Sequence, residues 1–176
     1  MKVTKIVFLV LALVLPVLIF IFLKFFGKNQ FDVAPLFMEG VELVDGCLHQ
    51  STGQYKVPAP ILEGMFWTGG DSLILFYFPE NEPQSSITRI KEAFGPSEVP
   101  IVEISTTTVS SQKTTKFVQV QEDSLLLWKK CYLFISKPYD LILVDHQRRI
   151  RGFYQSTDRE EVDRLLMEAS IILKKY

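Results

Sequence analysis

The sequence predicts an α/β sandwich, in which helices flank a mixed sheet, behind an N-terminal transmembrane helix. Three observations predict this fold class. Residues 6–23 form an uncharged apolar run. Apolar segments of strand length then alternate with helical patterns between residues 72 and 134. Residues 139–173 end the chain as a strand, a tight turn, a second strand and a helix.

The N-terminal run IVFLVLALVLPVLIFIFL lies between Lys5 and Lys24. Its length at ~1.5 Å per residue spans about 27 Å, close to the hydrocarbon core of a bilayer. A cleaved signal peptide would have a shorter apolar core ending in small residues, whereas this run exits through FLKFFGKNQF. We therefore predict an uncleaved anchor over residues 1–27, in contact with the lipid bilayer through residues 6–26.

The rest of the chain divides into an arm and one domain. Residues 28–60 contain prolines, glycines and short apolar stretches, which predict an extended arm lying on the domain of residues 61–176. The formal net charge is −1 and no block of basic residues occurs outside the membrane flanks, which argues against a nucleic-acid partner.

The first half of the domain shows two strands and a helix. SLILFYF at 72–78 predicts a strand buried on both faces. Ile87, Ile90 and Phe94 share one face of a helix, and VPIVEIS at 99–105 predicts the next strand. A short strand is also possible for FVQV at 117–120.

The second half adds a helix, a hairpin and a final helix. EDSLLLWKKCYLF predicts a single helix, while YDLILVD and IRGFY predict the hairpin. Thr157 and Glu160 have capping-box spacing, so the last helix should begin there, with one apolar stripe (Val162, Leu165, Leu166, Ala169, Ile172 and Leu173). The order β-α-β-α-β-β-α is that of a thioredoxin-like sandwich with a parallel start and an antiparallel end.

The segment LVDHQRRIRGFYQSTDREEVDRLL resembles the C-terminal segment of the SCO/SenC family, VDxxGRIRGxYxGTDxxEVxxL. Other segments agree in order but more loosely. Members of that family are membrane-anchored, thioredoxin-fold proteins linked to copper delivery to cytochrome c oxidase. The resemblance implies a cell-membrane protein whose domain lies outside the cytoplasm, with respiratory oxidase subunits or assembly factors as partners.

The departures from the family lie at its copper site. Copper-binding members carry C-x-x-x-C after the LILFYF-type strand, where this chain reads PENEPQSS, and a histidine before the YDLILVD-type strand, where it reads FISKPYD. The resemblance therefore implies no catalytic residue, no cofactor and no metal ligand at these places. Arg148 also stands where the family usually has glycine in the hairpin turn, which costs about 1 kcal/mol if φ is positive there; a changed turn type is the alternative.

Three residues could rebuild a metal site elsewhere. Cys47 and His49 form C-x-H in the arm, Cys131 lies in a helix, and thiolate and imidazole ligands suit Cu(I). We favour two unpaired, structural cysteines, and a Cys47–Cys131 disulfide stays open as the alternative. Glu80 and Glu82, in the loop where the family holds copper, are expected to be solvated.

The sequence thus predicts a non-catalytic binding or assembly factor associated with respiratory oxidase biogenesis. The alternative is a copper metallochaperone with the relocated ligands Cys47, His49 and Cys131. A thiol-disulfide enzyme using the two cysteines is a third and weaker hypothesis. Pro138 is predicted to be cis, as in thioredoxins generally, and His146 is expected to be solvated in its turn.

Overall fold

The computed structural model describes residues 2–26, 32–47, 51–67, 69–70, 72–79, 85–95, 98–106 and 116–174. The chain divides into two compact units, Met1–Asp32 and Val33–Tyr176. The first unit contains helix α1, Lys2–Phe26, which exposes side chains such as Phe8, Leu13 and Phe20. Among the described residues, no helix combines the length and the apolarity needed to cross a membrane. The membrane anchor therefore stays a prediction from the sequence.

The second unit begins with short elements and then forms its sheet. In chain order the elements are β1 (Gly40–Val41), β2 (Ser51–Thr52), α2 (Ala59–Glu63), β3 (Leu73–Tyr77), α3 (Ser85–Ala93), β4 (Ile101–Ser105), β5 (Lys116–Gln119), α4 (Glu122–Leu127), a π-helix (Trp128–Tyr132), β6 (Leu141–Asp145), β7 (Ile150–Tyr154) and α5 (Arg159–Leu173). Strands β1 and β2 pair with each other as a small hairpin in the arm.

Five of the described strands form one mixed sheet in the order β5-β4-β3-β6-β7. Strand β3 pairs in parallel with β4 and antiparallel with β6, and β6 pairs antiparallel with β7. The predicted mixed sheet, with a parallel start and an antiparallel end, is confirmed. Helix α3 connects β3 to β4, as a parallel crossover requires.

Each face of the sheet has its own core, because alternate residues of a buried strand point to opposite faces. Leu75 of β3 packs with Ile90 of α3 and Leu165 of α5 on one face. Phe76 packs on the other face with residues of the arm and with Leu133, which follows the π-helix. Because both faces of the sheet are covered, β3, β4 and β6 are buried along their whole length.

The described part of the arm runs beside strand β7. The backbone N–H of Leu36 donates to the carbonyl of Ile150 at 2.8 Å, and that of Val57 donates to the carbonyl of Arg148 at 2.9 Å. Val57 is fully buried and Tyr55 nearly so. The arm therefore satisfies backbone groups along one edge of the sheet and contributes side chains to the core.

The turn between β6 and β7 contains a non-glycine residue with positive φ. Arg148 has φ of 67°, which is the condition under which arginine was expected to carry a cost at this position. Its N–H donates to the carbonyl of Asp145 at 2.8 Å, and its side chain reaches the carbonyl of Val57 at 3.4 Å. These contacts accompany a conformation that costs arginine about 1 kcal/mol relative to glycine.

Helix α5 begins one residue later than the capping box predicts. Asp158 is the N-cap, and its Oδ1 accepts a hydrogen bond from the N–H of Glu160 at 2.8 Å. Thr157 instead accepts a hydrogen bond from the side-chain amide of Gln155 at 2.7 Å. Two adjacent residues could each serve as a cap, and the structure assigns that role to Asp158 because Thr157 closes the preceding turn.

Gly152 is the position in β7 where only glycine fits. The ring of the fully buried Tyr154 folds back over it, and a Cβ added at Gly152 would lie 2.6 Å from Tyr154 Cζ and 2.9 Å from Cε2. The Tyr154 hydroxyl donates to Glu168 of α5 at 2.6 Å, which holds the ring in place. This packing explains why RGFY carries a glycine between an arginine and two aromatic residues.

Gly152→Ala is expected to lower the free energy of unfolding by about 2–3 kcal/mol, because the methyl group overpacks a site that is closed on all sides. Urea denaturation measures this loss. Gly95→Ala is the matched control, since an added Cβ there meets no atom within 4 Å. A loss no larger than that of Gly95→Ala would contradict the proposed packing of Tyr154.

Candidate functional site

The two segments where the sequence resemblance would place copper ligands follow β3 and precede β6. The N–H of Phe78, just after β3, donates to the carbonyl of Asp140 at 2.8 Å. The peptide bond between Lys137 and Pro138 is cis, which confirms the prediction for Pro138. Residues 80–84, including Glu80 and Glu82, lie outside the described residues.

The two cysteines form a disulfide, and the favoured prediction of two unpaired thiols is therefore wrong. Cys47 and Cys131 are 84 residues apart in the sequence, but their Cα atoms are 5.4 Å apart in the fold, within the range of natural disulfides. Both residues are more than nine-tenths buried. Sequence separation gave no sign of this contact, because it depends on how the arm lies against the π-helix.

The disulfide removes both thiolates from the relocated copper site. Thiolates are the form of cysteine that binds metals, and neither sulfur of a disulfide is one. His49 lies outside the described residues. Within the residues that are described, no three histidine, cysteine or acidic side chains come together as a metal site would require.

A cleft lies beside the π-helix and the cis-proline turn, and we call it the lysine cleft. Its volume is about 440 Å³, and its lining residues are Leu126, Lys129, Lys130, Phe134, Ile135, Ser136, Lys137 and Tyr139. Three of these eight residues are lysines and none is acidic. The cleft therefore combines positive charge with aliphatic and aromatic surface.

The π-helix positions two of the cleft lysines. The sequence predicted a single helix over EDSLLLWKKCYLF, but the structure changes from an α-helix to a π-helix at Trp128. The N–H of Leu133 donates to the carbonyl of Trp128, five residues back, at 2.9 Å. Lys129 Nζ lies 5.2 Å from the centre of the Phe78 ring, a cation–π distance. Lys130 Nζ donates to the carbonyl of Asp45 at 2.6 Å, next to the disulfide.

Phe134, which lines the lysine cleft, belongs to an aromatic cluster with Phe37 and Tyr55. Phe134 has φ of 52°, an unusual value for a bulky residue, and its ring packs 5.3 Å from Phe37 and 5.0 Å from Tyr55. The Tyr55 hydroxyl donates to the carbonyl of Tyr132 at 2.8 Å, and burial raises the pKa of Tyr55 well above its ordinary value. The phenol therefore stays protonated and holds the end of the π-helix.

A second polar group lies on the opposite face of the sheet, at the same end of β3. Glu103 of β4 is in register with Tyr77 of β3, is 4% exposed, and has an Oε1 atom without a hydrogen-bond partner among the described residues. Burial raises the pKa of Glu103, with Lys91 of α3 acting in the opposite direction. Burial likewise lowers the pKa of Lys91, partly offset by Glu103. Desolvation thus outweighs their mutual attraction.

Glu103 should make stability depend on pH. Because its pKa is raised in the folded state, its contribution is fully present below the ordinary value of 4.5 and is lost as pH rises through the folded-state pKa. Glu103→Gln is expected to remove this part of the decline, so that the stability of the variant falls less than that of wild type between pH 4.5 and neutral pH. Urea denaturation at several pH values between 4.5 and neutral pH tests this. If the free energy of unfolding falls equally steeply with pH in both proteins, the prediction is contradicted.

The lysine cleft was not predicted from the sequence. Its lysines were read only as part of a helix and of the segment FISKPYD, because the sequence shows neither the π turn nor the left-handed Phe134. A signal was present in the three lysines and four aromatic residues at positions 128–139. Helical spacing alone does not place Lys129 and Lys137 in the lining of one cleft.

Comparison with solved structures shows which known fold this architecture resembles. The chain is similar to BsSco, a member of the Sco family of cytochrome c oxidase assembly proteins in which a disulfide switch was identified. The TM-score is 0.50 at 12% identity, over 84% of this chain and all of that one. The apo structure of Trgpx aligns with a TM-score of 0.36 at 13% identity, over 81% of this chain and 97% of the other. No family model and no curated protein matches the chain. The fold is thus SCO-like, as the resemblance predicted.

Proposed function

We propose that this chain is a membrane-anchored, non-catalytic binding or assembly factor that takes part in the biogenesis of a respiratory oxidase. The observation that carries the proposal is the state of its cysteines. The sequence has two in all, and both are consumed in one disulfide. An SCO-like fold with this cysteine content lacks the thiols that copper delivery by a C-x-x-x-C pair needs.

The disulfide itself is poorly suited to redox chemistry. Exchange requires a thiolate to reach one of the two sulfur atoms. Cys47 is 7% exposed and Cys131 is 3% exposed, so an attacking protein thiol has little access to either. The disulfide is better explained as a link that fixes the arm to the domain.

The membrane part of the proposal rests on the N-terminal sequence. Residues 6–23 carry no charge, and Phe8, Leu13 and Phe20 of α1 are 75%, 71% and 70% exposed. Exposing this many apolar side chains to water costs free energy, and burying them in lipid removes that cost. Extraction of membranes with alkaline carbonate tests this: the chain should stay in the membrane pellet, and its release into the supernatant would contradict an anchor.

Capture from native membranes tests the assembly function. The tagged full chain is solubilised in mild detergent, and proteins that co-purify with it are identified by mass spectrometry. We expect oxidase subunits or their assembly factors, in excess over a tagged single-span control protein of unrelated fold. If none of them is enriched over that control, the link to oxidase biogenesis fails.

A further inference from the structure

We infer that strand β5 is the surface through which two copies of this chain form a dimer, with the two β5 strands side by side and antiparallel. The inference concerns the contact of the chain with itself and does not depend on a role in oxidase biogenesis. It stands on the unpaired backbone groups of β5, on their symmetry about Val118 and on the side chains that the pairing brings together.

The two edges of the sheet differ in what covers them. At the β7 edge, the N–H groups of Leu36 and Val57 in the arm donate to carbonyls of Ile150 and Arg148. Strand β5 forms the other edge. Within the described residues, the hydrogen bonds of β5 run only to β4 and to the carbonyl of Thr106. Its outer side therefore presents unpaired N–H and C=O groups, which are a template for another strand.

The pairing of β5 with β4 identifies the backbone groups that face outward. The two strands are parallel, and the N–H of Val120, just after β5, donates to the carbonyl of Ser105 in β4 at 3.1 Å. Alternate residues of a strand direct their backbone groups to the same side, so those of Val118 also point to β4. The N–H and C=O groups of Phe117 and Gln119 therefore point to the open edge.

These outward groups fit a second copy of the same strand. Phe117 and Gln119 lie on either side of Val118, so an antiparallel copy can be placed with Val118 opposite Val118 on a two-fold axis. Phe117 of each copy then pairs with Gln119 of the other, and each pair exchanges both of its N–H···O bonds. Every outward N–H and carbonyl of the strand is satisfied by the same surface on the other copy, as a closed dimer requires.

The side chains in this register are also complementary. The two Val118 residues form a pair without hydrogen bonds, in which side chains approach most closely. Phe117 projects from the opposite face of the sheet and is partly exposed. The Phe117 rings of the two copies are diagonal neighbours, at about 7–8 Å between backbones and within reach of aromatic side chains. Their contact removes apolar surface from water.

Charge favours the same register. Lys116 and Glu122 are exposed, and neither has an ion pair among the described residues. Lys116 lies opposite Val120 of the other copy, two residues from Glu122 of that copy. The two Lys116 residues lie at opposite ends of the paired strands. Opposite charges are thus brought near each other and like charges are kept apart.

Strand β5 lacks the features by which exposed edges usually avoid pairing. It contains no proline, and its only charged residue, Lys116, lies at its first position. Its register with β4 continues from Lys116 to Gln119 without a shift, whereas the pairing of β6 with β7 shifts between Leu143 and Val144. Prolines, bulges and inward charges are the usual protections of an edge strand.

Cross-linking through a cysteine on the two-fold axis tests the inference. Because Cys47 and Cys131 are joined, Val118→Cys adds a thiol to a chain that has no free cysteine. The two Val118 Cα atoms would lie about 4.5 Å apart, within the ~4.4–6.8 Å range of disulfides. Treatment of the purified full chain with diamide in mild detergent should then give a disulfide-linked dimer, measured by non-reducing electrophoresis.

Val120→Cys is the matched control, because Val120 is partly buried on the same face of the same segment. In the proposed register the two Val120 Cα atoms lie about 14 Å apart, being offset by four residues at ~3.4 Å each. We expect about tenfold more dimer from Val118→Cys than from Val120→Cys, because only the first pair of thiols meets disulfide geometry.

A second pair of variants separates the pairing from the fold. Gln119→Pro removes an outward N–H without removing a hydrogen bond to β4, since proline is tolerated at such edge positions. Added to Val118→Cys, it should abolish the cross-link, whereas Gln119→Ala, which keeps the N–H, should not. Thermal midpoints show that each variant is folded.

Three results would overturn the inference. The first is a folded Val118→Cys chain that stays monomeric after diamide treatment. The second is an equal yield of dimer from Val118→Cys and Val120→Cys, which indicates random collision. The third is a yield from Val118→Cys that Gln119→Pro leaves unchanged in a folded chain, because the backbone of β5 would then play no part in the contact.

Discussion

Cys47→Ser is expected to lower the free energy of unfolding by about 4–5 kcal/mol. The disulfide closes a loop between residues 84 apart, and the chain-entropy model assigns a loop of this length a stabilisation of about 4–5 kcal/mol. Both half-cystines are buried, so the serine hydroxyl also loses contact with water. Urea denaturation of the oxidised full chain in detergent measures the change.

Two controls distinguish the effect of losing the cross-link from the effect of replacing the cysteine side chain with serine. Wild type denatured with dithiothreitol should fall to nearly the level of the Cys47→Ser/Cys131→Ser variant, and dithiothreitol should not change the variant further. If Cys47→Ser and wild type unfold at the same urea concentration without reductant, the disulfide is absent from the protein or contributes nothing to its stability.

Asp145→Ala is expected to lower the free energy of unfolding by about 3–5 kcal/mol. The carboxylate is fully buried at the end of β6, where Oδ1 accepts from the N–H groups of Gln147 and Arg149 at 2.9 and 3.0 Å. Its Oδ2 accepts from Arg149 Nε at 2.7 Å and from Arg151 Nη1 at 3.3 Å. Arg151 is 3% exposed, so the substitution leaves a buried cation without its carboxylate.

A second variant and a surface control sharpen this test. Adding Arg151→Met to Asp145→Ala should recover part of the loss, because the uncompensated charge disappears with the arginine. Asp158→Ala removes an exposed helix cap and should cost only about 1 kcal/mol. If urea denaturation gives Asp145→Ala and Asp158→Ala the same loss in free energy of unfolding, the buried network contributes little to stability.

Local patterns in the sequence were enough to predict most of the domain. The apolar runs that became β3, β4 and β6 are buried on both faces, and their spacing by helices indicated the parallel start of the sheet. The hairpin and α5 were predicted to within one or two residues because turn and cap residues act locally. The small hairpin of β1 and β2 and the five-residue α2 were missed, since neither has a periodic pattern long enough to read.

The candidate site was less accessible to sequence reasoning. The absence of the ligands that the resemblance would place there could be read directly, because PENEPQSS and FISKPYD contain neither cysteine nor histidine. The Cys47–Cys131 disulfide depends on long-range packing, which no local pattern reports, and helical spacing did not place Lys129 and Lys137 in the lining of one cleft. The cis peptide at Pro138 was predicted only through the resemblance to thioredoxins. The strand VPIVEIS gave no sign that Glu103 Oε1 would lack a hydrogen-bond partner among the described residues.

The most direct test of the account is a titration of the purified full chain, disulfide intact, with Cu(I) against a chromogenic competitor. The proposed function requires that this SCO-like fold holds no copper site. We expect the competitor to keep the metal, with no stoichiometric transfer to the protein. Tight one-to-one binding would contradict the account, and the ligands would then have to be sought elsewhere in the chain.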